Sequence, residues 1–502
     1  QASGGFPKAG LIGLGREGDK KRSAEIIVFI EPGKGGSKDP NRGEVAEALL
    51  AAAIVKRFIN LPLQGADAPS YVTPEEVLQF LKTEADVRVV DEKKGIKAVM
   101  YEGTMKGPMG KSTDKIKMQI MLRGYSLDGL MPAKGKIGSF VTGDKQMVAY
   151  LKGACEYANN EMVDWAVGNF EAEGPDEQKV GWFLNEVNNE IFVGAIGTDD
   201  QKGTKVDLKM TCVDAASCPL GKSAPTESGT MSLSKLSLKA GATTHIGQQG
   251  ARFAEGALGL MKGLFGSAIP NEEEWSAEYN FATQFIAKSA KPIQVDGGWS
   301  IDVGRGQPAL NKDGEVLVLG SSDEAKAEIA KQRPLFNKLL KELITEKYYP
   351  AVKKKLGGNN APAEAGFLEQ LADGVRRQAV LDEDGVDLVQ FTDSGSYDIL
   401  DFYKTPEVFE KYNLNLDAAV KQDGSVPYLY IYNASTEPGP DGVPVDGSPS
   451  RANALIVVRP LMREGAPLIR VEKGDLLKKD IKKEKGEAKK WQDPNYKPDE
   501  NK

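Results

Sequence analysis

One imidazole, three thiols and 72 carboxylates set the limits on side-chain chemistry in this 502-residue chain. His245, in Thr243-Thr244-His245-Ile246, is the only histidine, so any histidine-dependent triad or metal cluster must be built around it. No Gly-x-Ser-x-Gly elbow exists to partner it, and a structural hydrogen bond is the expectation. Ser232-Leu233-Ser234-Lys235 spells Ser-x-x-Lys, but it lies on an alternating run through Met231, Leu233, Leu236 and Leu238 that reads as a strand. Cys155 shares a helical stripe with Leu151 and Ala158 and reads as a buried apolar residue. Cys212 and Cys218 close a short loop followed by Pro219, a candidate disulfide in an oxidising compartment. No second Cys or His pair completes a zinc site. The many Asp and Glu residues offer acid-base pairs without end, and a linear string gives none of their distances. No catalytic residue, no cofactor and no metal ligand is therefore expected.

Two glycine motifs resemble phosphate cradles in spelling only. Gly13-Leu14-Gly15-Arg16-Glu17-Gly18 matches the dinucleotide pattern, and Glu31 follows at the end of a strand. That chemistry needs a helix opening at the third glycine, with an apolar face for the sheet and its N-terminus on the pyrophosphate. Residues 16–23 contain no apolar side chain, so a flexible glycine arm is expected instead. Gly110-Lys111-Ser112-Thr113 has the second half of a P-loop, but Met105 stands where the first glycine belongs and Pro108 interrupts the amides. Lys115 to Arg123 alternates like a strand, which predicts a hairpin loop. Asp382-Glu383-Asp384-Gly385-Val386-Asp387 fails as a calcium loop, with Asp387 at the sixth position and Asp393 at the twelfth. Asn433-Ala434-Ser435 is a glycosylation sequon by pattern.

The elements around these motifs alternate between periods of 3.6 and 2. Ile26 to Ile30 reads as a buried strand, Glu44 to Ile59 as an Ala-rich helix, and Thr73-Pro74-Glu75-Glu76 as a capped helix start. Val87 and Val89 face Ile96, Ala98 and Met100 as a hairpin, and Ile116 to Leu122 adds a strand. An amphipathic helix of about seven turns runs from Asp144 to Phe170. Strands near Ile191 to Ile196 and Val206 to Cys212 precede helices through Phe253 to Gly266 and Glu272 to Lys288. The first of these carries Gly256, Gly259, Gly263 and Gly266 near one face, a ridge that admits close approach by another backbone inside the fold or at a subunit interface. Strands at Ile293 to Val295, Trp299 to Val303 and Val316 to Leu319 follow, and Arg333-Pro334 marks a break or fresh helix start. A helix from Glu364 to Val380 and strands near Leu388 to Phe391, Leu429 to Tyr432 and Leu455 to Val458 complete the body, with a Pro/Gly loop at Glu437 to Pro449.

The pattern gives an α+β class with mixed antiparallel hairpins and sheets and long amphipathic helices. It divides the chain into a basic Gly-rich arm over 1–35, an α+β block over 36–143, a helix-rich α+β block over 144–290, an α+β block over 291–472 and a charged tail over 473–502. With 40% apolar and 27% charged residues the composition is globular, and no run reaches the ~20 apolar residues of a membrane span. A net charge of −7 argues against a chain-wide nucleic-acid surface. The chain begins at Gln1 rather than Met, which fits proteolytic processing. The tail is too polar to order itself, and arms that order only across neighbours belong to large assemblies. The leading expectation is therefore a non-enzymatic, self-associating structural subunit of a viral shell or tail or an extracytoplasmic layer. Its partners would be copies of itself, and it would sit in a virion or outside the cytoplasm. The alternatives are a secreted or envelope-associated binding protein and a carboxylate-dependent hydrolase.

Overall fold

The computed structural model describes residues 23–30, 42–60, 72–82, 86–91, 96–105, 114–123, 141–168, 191–195, 208–212, 231–239, 241, 244–266, 268–357, 361–381, 385–437, 446–461 and 466–485. The fold is α+β. Its two compact units are discontinuous in the chain: residues 1–243, 383–400 and 483–502 make the first, and residues 244–382 and 401–482 the second. Hydrophobic period gives consecutive blocks and carries no signal for segments that leave one unit and return to it.

The first unit is organised on a nine-stranded mixed sheet. Its strands are β1 (Ser23–Ile30), β2 (Asp86–Asp91), β3 (Ile96–Met105), β4 (Asp114–Arg123), β5 (Ile191–Ala195), β6 (Leu208–Cys212), β7 (Met231–Lys239), β11 (Val386–Phe391) and β12 (Tyr397–Leu400). Their order is β12-β11-β7-β6-β5-β1-β4-β3-β2. β1 lies inside this sheet, parallel to both β4 and β5, and covers the strand read from the sequence at Ile26 to Ile30. The β2-β3 hairpin forms as its alternation predicts, and β3 and β4 close another with Met105 opposite Asp114.

Helix α1 (Arg42–Asn60) is buried without interruption from Val45 to Ile54. Its alanines let it lie close both to the sheet and to α3 (Lys145–Gly168), the long helix read from the sequence. Helix α2 (Pro74–Lys82) starts with a reciprocal capping box: Thr73 N donates to Glu76 Oε2 (2.9 Å) and Glu76 N donates to Thr73 Oγ1 (3.2 Å). The Asn159 carboxamide ties this start to α3, accepting from Val72 N (2.9 Å) and donating to Val72 O (3.0 Å).

The second unit holds a five-stranded antiparallel sheet and a smaller hairpin. The larger sheet has the order β13-β14-β15-β16-β8, from β8 (His245–Gly250), β13 (Leu416–Asp423), β14 (Val426–Asn433), β15 (Ala454–Leu461) and β16 (Leu468–Lys473), with β8 at one edge. Helices α4 (Ala254–Phe265), α7 (Tyr349–Leu356) and α8 (Phe367–Val380) pack on it. The hairpin β9 (Lys291–Val295) and β10 (Gly298–Asp302) is covered on one side by α6 (Ser322–Glu342), by Phe281 of α5 (Glu272–Thr283) and by Phe285 in the turn after it.

Three boundaries differ from the sequence reading. Arg333-Pro334 is no break: Pro334 sits inside α6, which Ser321 caps by accepting from Glu324 N (3.1 Å). Pro334 and Ala330 are both exposed, so the carbonyl that loses its helical donor faces water rather than the core. The Arg333 guanidinium donates to Phe285 O (2.9 Å) and Ala287 O (2.6 Å), holding as a turn the stretch after α5 that the period had extended to Lys288. The tail is also not wholly unable to order itself. Helix α10 (Asp475–Ile481) buries Leu477 and Ile481, an i, i+4 pair on one face, in the second unit. Within the first unit Lys483 N donates to Ile399 O (2.8 Å), and Lys483 and Lys485 pair with Asp387 (2.6 Å) and Glu156 (2.9 Å).

Candidate interaction surfaces

The sequence motifs do not converge on one centre. Gly13 to Gly18 and Gly110 to Thr113 lie outside the described residues; the strands on either side of the latter, β3 and β4, pair antiparallel. His245 sits on edge strand β8, in register with Glu472 of β16. Ser232 and Lys235 lie on β7, inside the large sheet. Asn433 is buried at the end of β14, and its Oδ1 accepts from Ser435 N (3.1 Å), which removes it from the surface a sequon needs. The Cys155 thiol is buried and pushed up to about 12 by burial first and then by Glu75 and Glu76, so it is a protonated apolar filler rather than a nucleophile. Cys212 ends β6, but Cys218 lies outside the described residues, and with it the candidate disulfide. Among the described residues no three His, Cys, Asp or Glu side chains are grouped to hold a metal, and no helix is long and apolar enough to cross a membrane.

The features that stand out are surfaces of the second unit. The first contains two of the four ridge glycines. An open groove of about 620 Å³ runs between the end of β8 and the start of α4, with Gln249, Phe253, Glu255, Gly259 and Gln378 among its walls. The glycines differ in purpose. A Cβ on Gly256 would sit 2.4 Å from the Gly250 carbonyl oxygen, so only glycine lets α4 reach the strand edge there. Gly266 caps α4 in the left-handed conformation (φ 65°), with its N–H donating to Lys262 O (2.7 Å). Gly259 and Gly263 would carry a Cβ into open space. Phe253 stands at the groove's mouth 56% exposed, the most exposed large apolar side chain among the described residues. The Arg252 guanidinium lies 5.8 Å from the centre of its ring.

The second surface is the outer face of the small hairpin. Ile301, Ala309, Leu317 and Leu319 turn toward the cluster around Phe285 and Ile329. The alternate residues therefore turn away from it. Leu310 and Val316 face one another across an antiparallel bridge and are each 42% exposed, and Val318, two residues on, is 48% exposed. A Cβ on Gly298 would lie 3.1 Å from Val318 Cγ1, which places the bare hairpin turn beside this apolar patch.

No family model, curated protein or solved structure matches the chain.

The third feature is an ion cluster on the five-stranded sheet of the second unit. Glu472 is almost wholly buried between Arg451 (2.5 Å) and Arg459 (2.8 Å), with the Arg459 guanidinium also 5.2 Å from the Tyr428 ring centre. Burial alone would raise the Glu472 carboxyl, but hydrogen bonds and charge from the two arginines outweigh it and hold the group below the usual carboxylate range. Both Glu472 oxygens are taken up by the two guanidiniums, which makes this an internal brace. The groove offers a single carboxylate, Glu255, with Arg252 nearby, and no pair of acids for a hydrolytic step.

Proposed function

We propose that this protein is a structural subunit that self-associates, with the outer face of the 291–320 hairpin as a contact between copies. The observation that carries the reading is the patch of Leu310, Val316 and Val318. Three of the five strongly exposed large apolar side chains among the described residues share one small sheet face. Apolar side chains gathered on one face, rather than scattered singly, are what an interaction site presents. Its rim favours a second copy as the partner. Exposed Lys291 and Lys312 stand among exposed Asp296, Asp313 and Glu315, so the segment carries both signs of charge and a second copy can complement it.

The energetics ask for more than this patch. Burying the remaining exposure of three such side chains yields about 1 kcal/mol each, half of full burial. Association costs at least about 4 kcal/mol in lost freedom. The face therefore sets the register of a larger contact rather than supplying all of its stability. Sedimentation velocity of the full chain across a concentration series tests the reading, and a particle that stays monomeric to high concentration overturns it.

A further inference from the structure

We infer that the groove between β8 and α4 receives the N-terminal arm of another copy, added as an extended strand to the free edge of β8; this rests on the self-association proposed above and names its second contact. Among the described residues no strand pairs with the outer side of β8, and ladder geometry leaves that edge available. Ala251 N donates to Pro467 O (2.8 Å), so by two-residue alternation the main-chain groups of Gln249 and Gly247 also point to β16, and those of Gln248 and Gly250 point away. The Gly250 carbonyl turns against Gly256, which leaves the Gly250 N–H and both groups of Gln248 for an added strand. Gln248, Gln249 and Gly250 are all exposed. Beside this edge the groove offers apolar surface from Phe253 and Leu260, and a floor at Gly259 with nothing within 4 Å of where a Cβ would stand. Backbone pairing would give affinity and the groove would take an alternate side chain, the logic of strand addition.

The occupant follows from the rest of the chain. Residues 1–22 precede β1 and hold six glycines among Phe6, Leu11, Ile12 and Leu14. Small and apolar residues suit a glycine-floored groove, and the stretch from Lys8 to Gly18 after Pro7 contains no proline, whereas residues 486–502 have Pro494 and Pro498, which cannot donate to a strand, and few apolar side chains. Extended, 22 residues span up to about 75 Å, enough to leave one subunit and lie on the next. Arg252 and Glu255 cancel at the groove, so the arm's basic residues are not what holds it there.

The test uses the full chain. p-Benzoylphenylalanine is placed at position 253 in a 15N-labelled copy, mixed with unlabelled wild-type protein and irradiated, and the cross-linked peptides are read by mass spectrometry. Cross-links joining labelled 253 to unlabelled residues 1–22 are the expected result. Cross-links within one isotope alone, or to another segment, overturn it. Gly259→Leu, whose side chain enters open space, should keep the fold and lower the cross-link yield at least tenfold, and an unchanged yield also overturns it. If the cross-link is missing while sedimentation still shows oligomers, this inference fails and the self-association reading stands. If the particle is monomeric, both fail.

Discussion

Replacing two glycines of the second unit by alanine should shift its stability in opposite directions. At Gly374, in the middle of α8, a Cβ would lie 2.4 Å from the Gly263 carbonyl oxygen and 3.0 Å from Leu264 Cα. Both are main-chain atoms of α4 and cannot rotate aside, so the helices must separate by nearly 1 Å. Overpacking of this kind costs about 2–3 kcal/mol, offset by about 1 kcal/mol of helix propensity, for a net loss of about 1–2 kcal/mol. At Gly259 nothing lies within 4 Å of the new methyl, and only the propensity gain of about 1 kcal/mol remains. For a unit of about 220 residues each kcal/mol moves Tm by roughly 2–4 °C. Calorimetry should therefore place Gly259→Ala about 2–4 °C above wild type in the transition of the second unit, and Gly374→Ala about 2–8 °C below it. Equal shifts for the two, or a stabilised Gly374→Ala, would refute the close α4-α8 contact.

Glu472→Gln should cost about 2–3 kcal/mol, because it leaves Arg451 and Arg459 facing a neutral amide, with some of the charge reaching water from side chains that are 33% and 20% exposed. The carboxyl is held below its unfolded value, so its stabilising contribution is full above about pH 4.3 and fades as pH falls through the lower folded value. Urea midpoints measured from pH 6 to 3 should fall less steeply in Glu472→Gln than in wild type. Ile481→Ala should cost about 2–4 kcal/mol by emptying a fully buried position, whereas a tail without a structural role would give no change in the same urea titration.

Much of the architecture was legible because it follows from local rules. The Thr73 capping box, the β2-β3 hairpin and the seven-turn helix α3 each obey a period or a cap that neighbouring residues settle. What the sequence hid was long-range. Pro334 reads as a breaker, yet an exposed carbonyl one turn back lets a helix tolerate it. The charged tail reads as unable to fold, yet Leu477 and Ile481 at i, i+4 suffice once a body exists to cover them. The candidate surfaces were half visible. The glycine spacing drew attention to α4, but the purpose of each glycine depends on Gly250 and Lys262, and Gly374 completes the contact from a helix more than a hundred residues away. The exposed face of Leu310, Val316 and Val318 gave no signal, since alternation says which residues share a face and not which face is covered.

The most direct test of the account is the association state of the full chain and of Val316→Asp/Val318→Asp by sedimentation velocity. The account predicts concentration-dependent oligomers for the wild type and at least tenfold weaker association for the variant, with its melting transitions kept. A wild type that is monomeric throughout, or a variant that associates as well as the wild type, would contradict it.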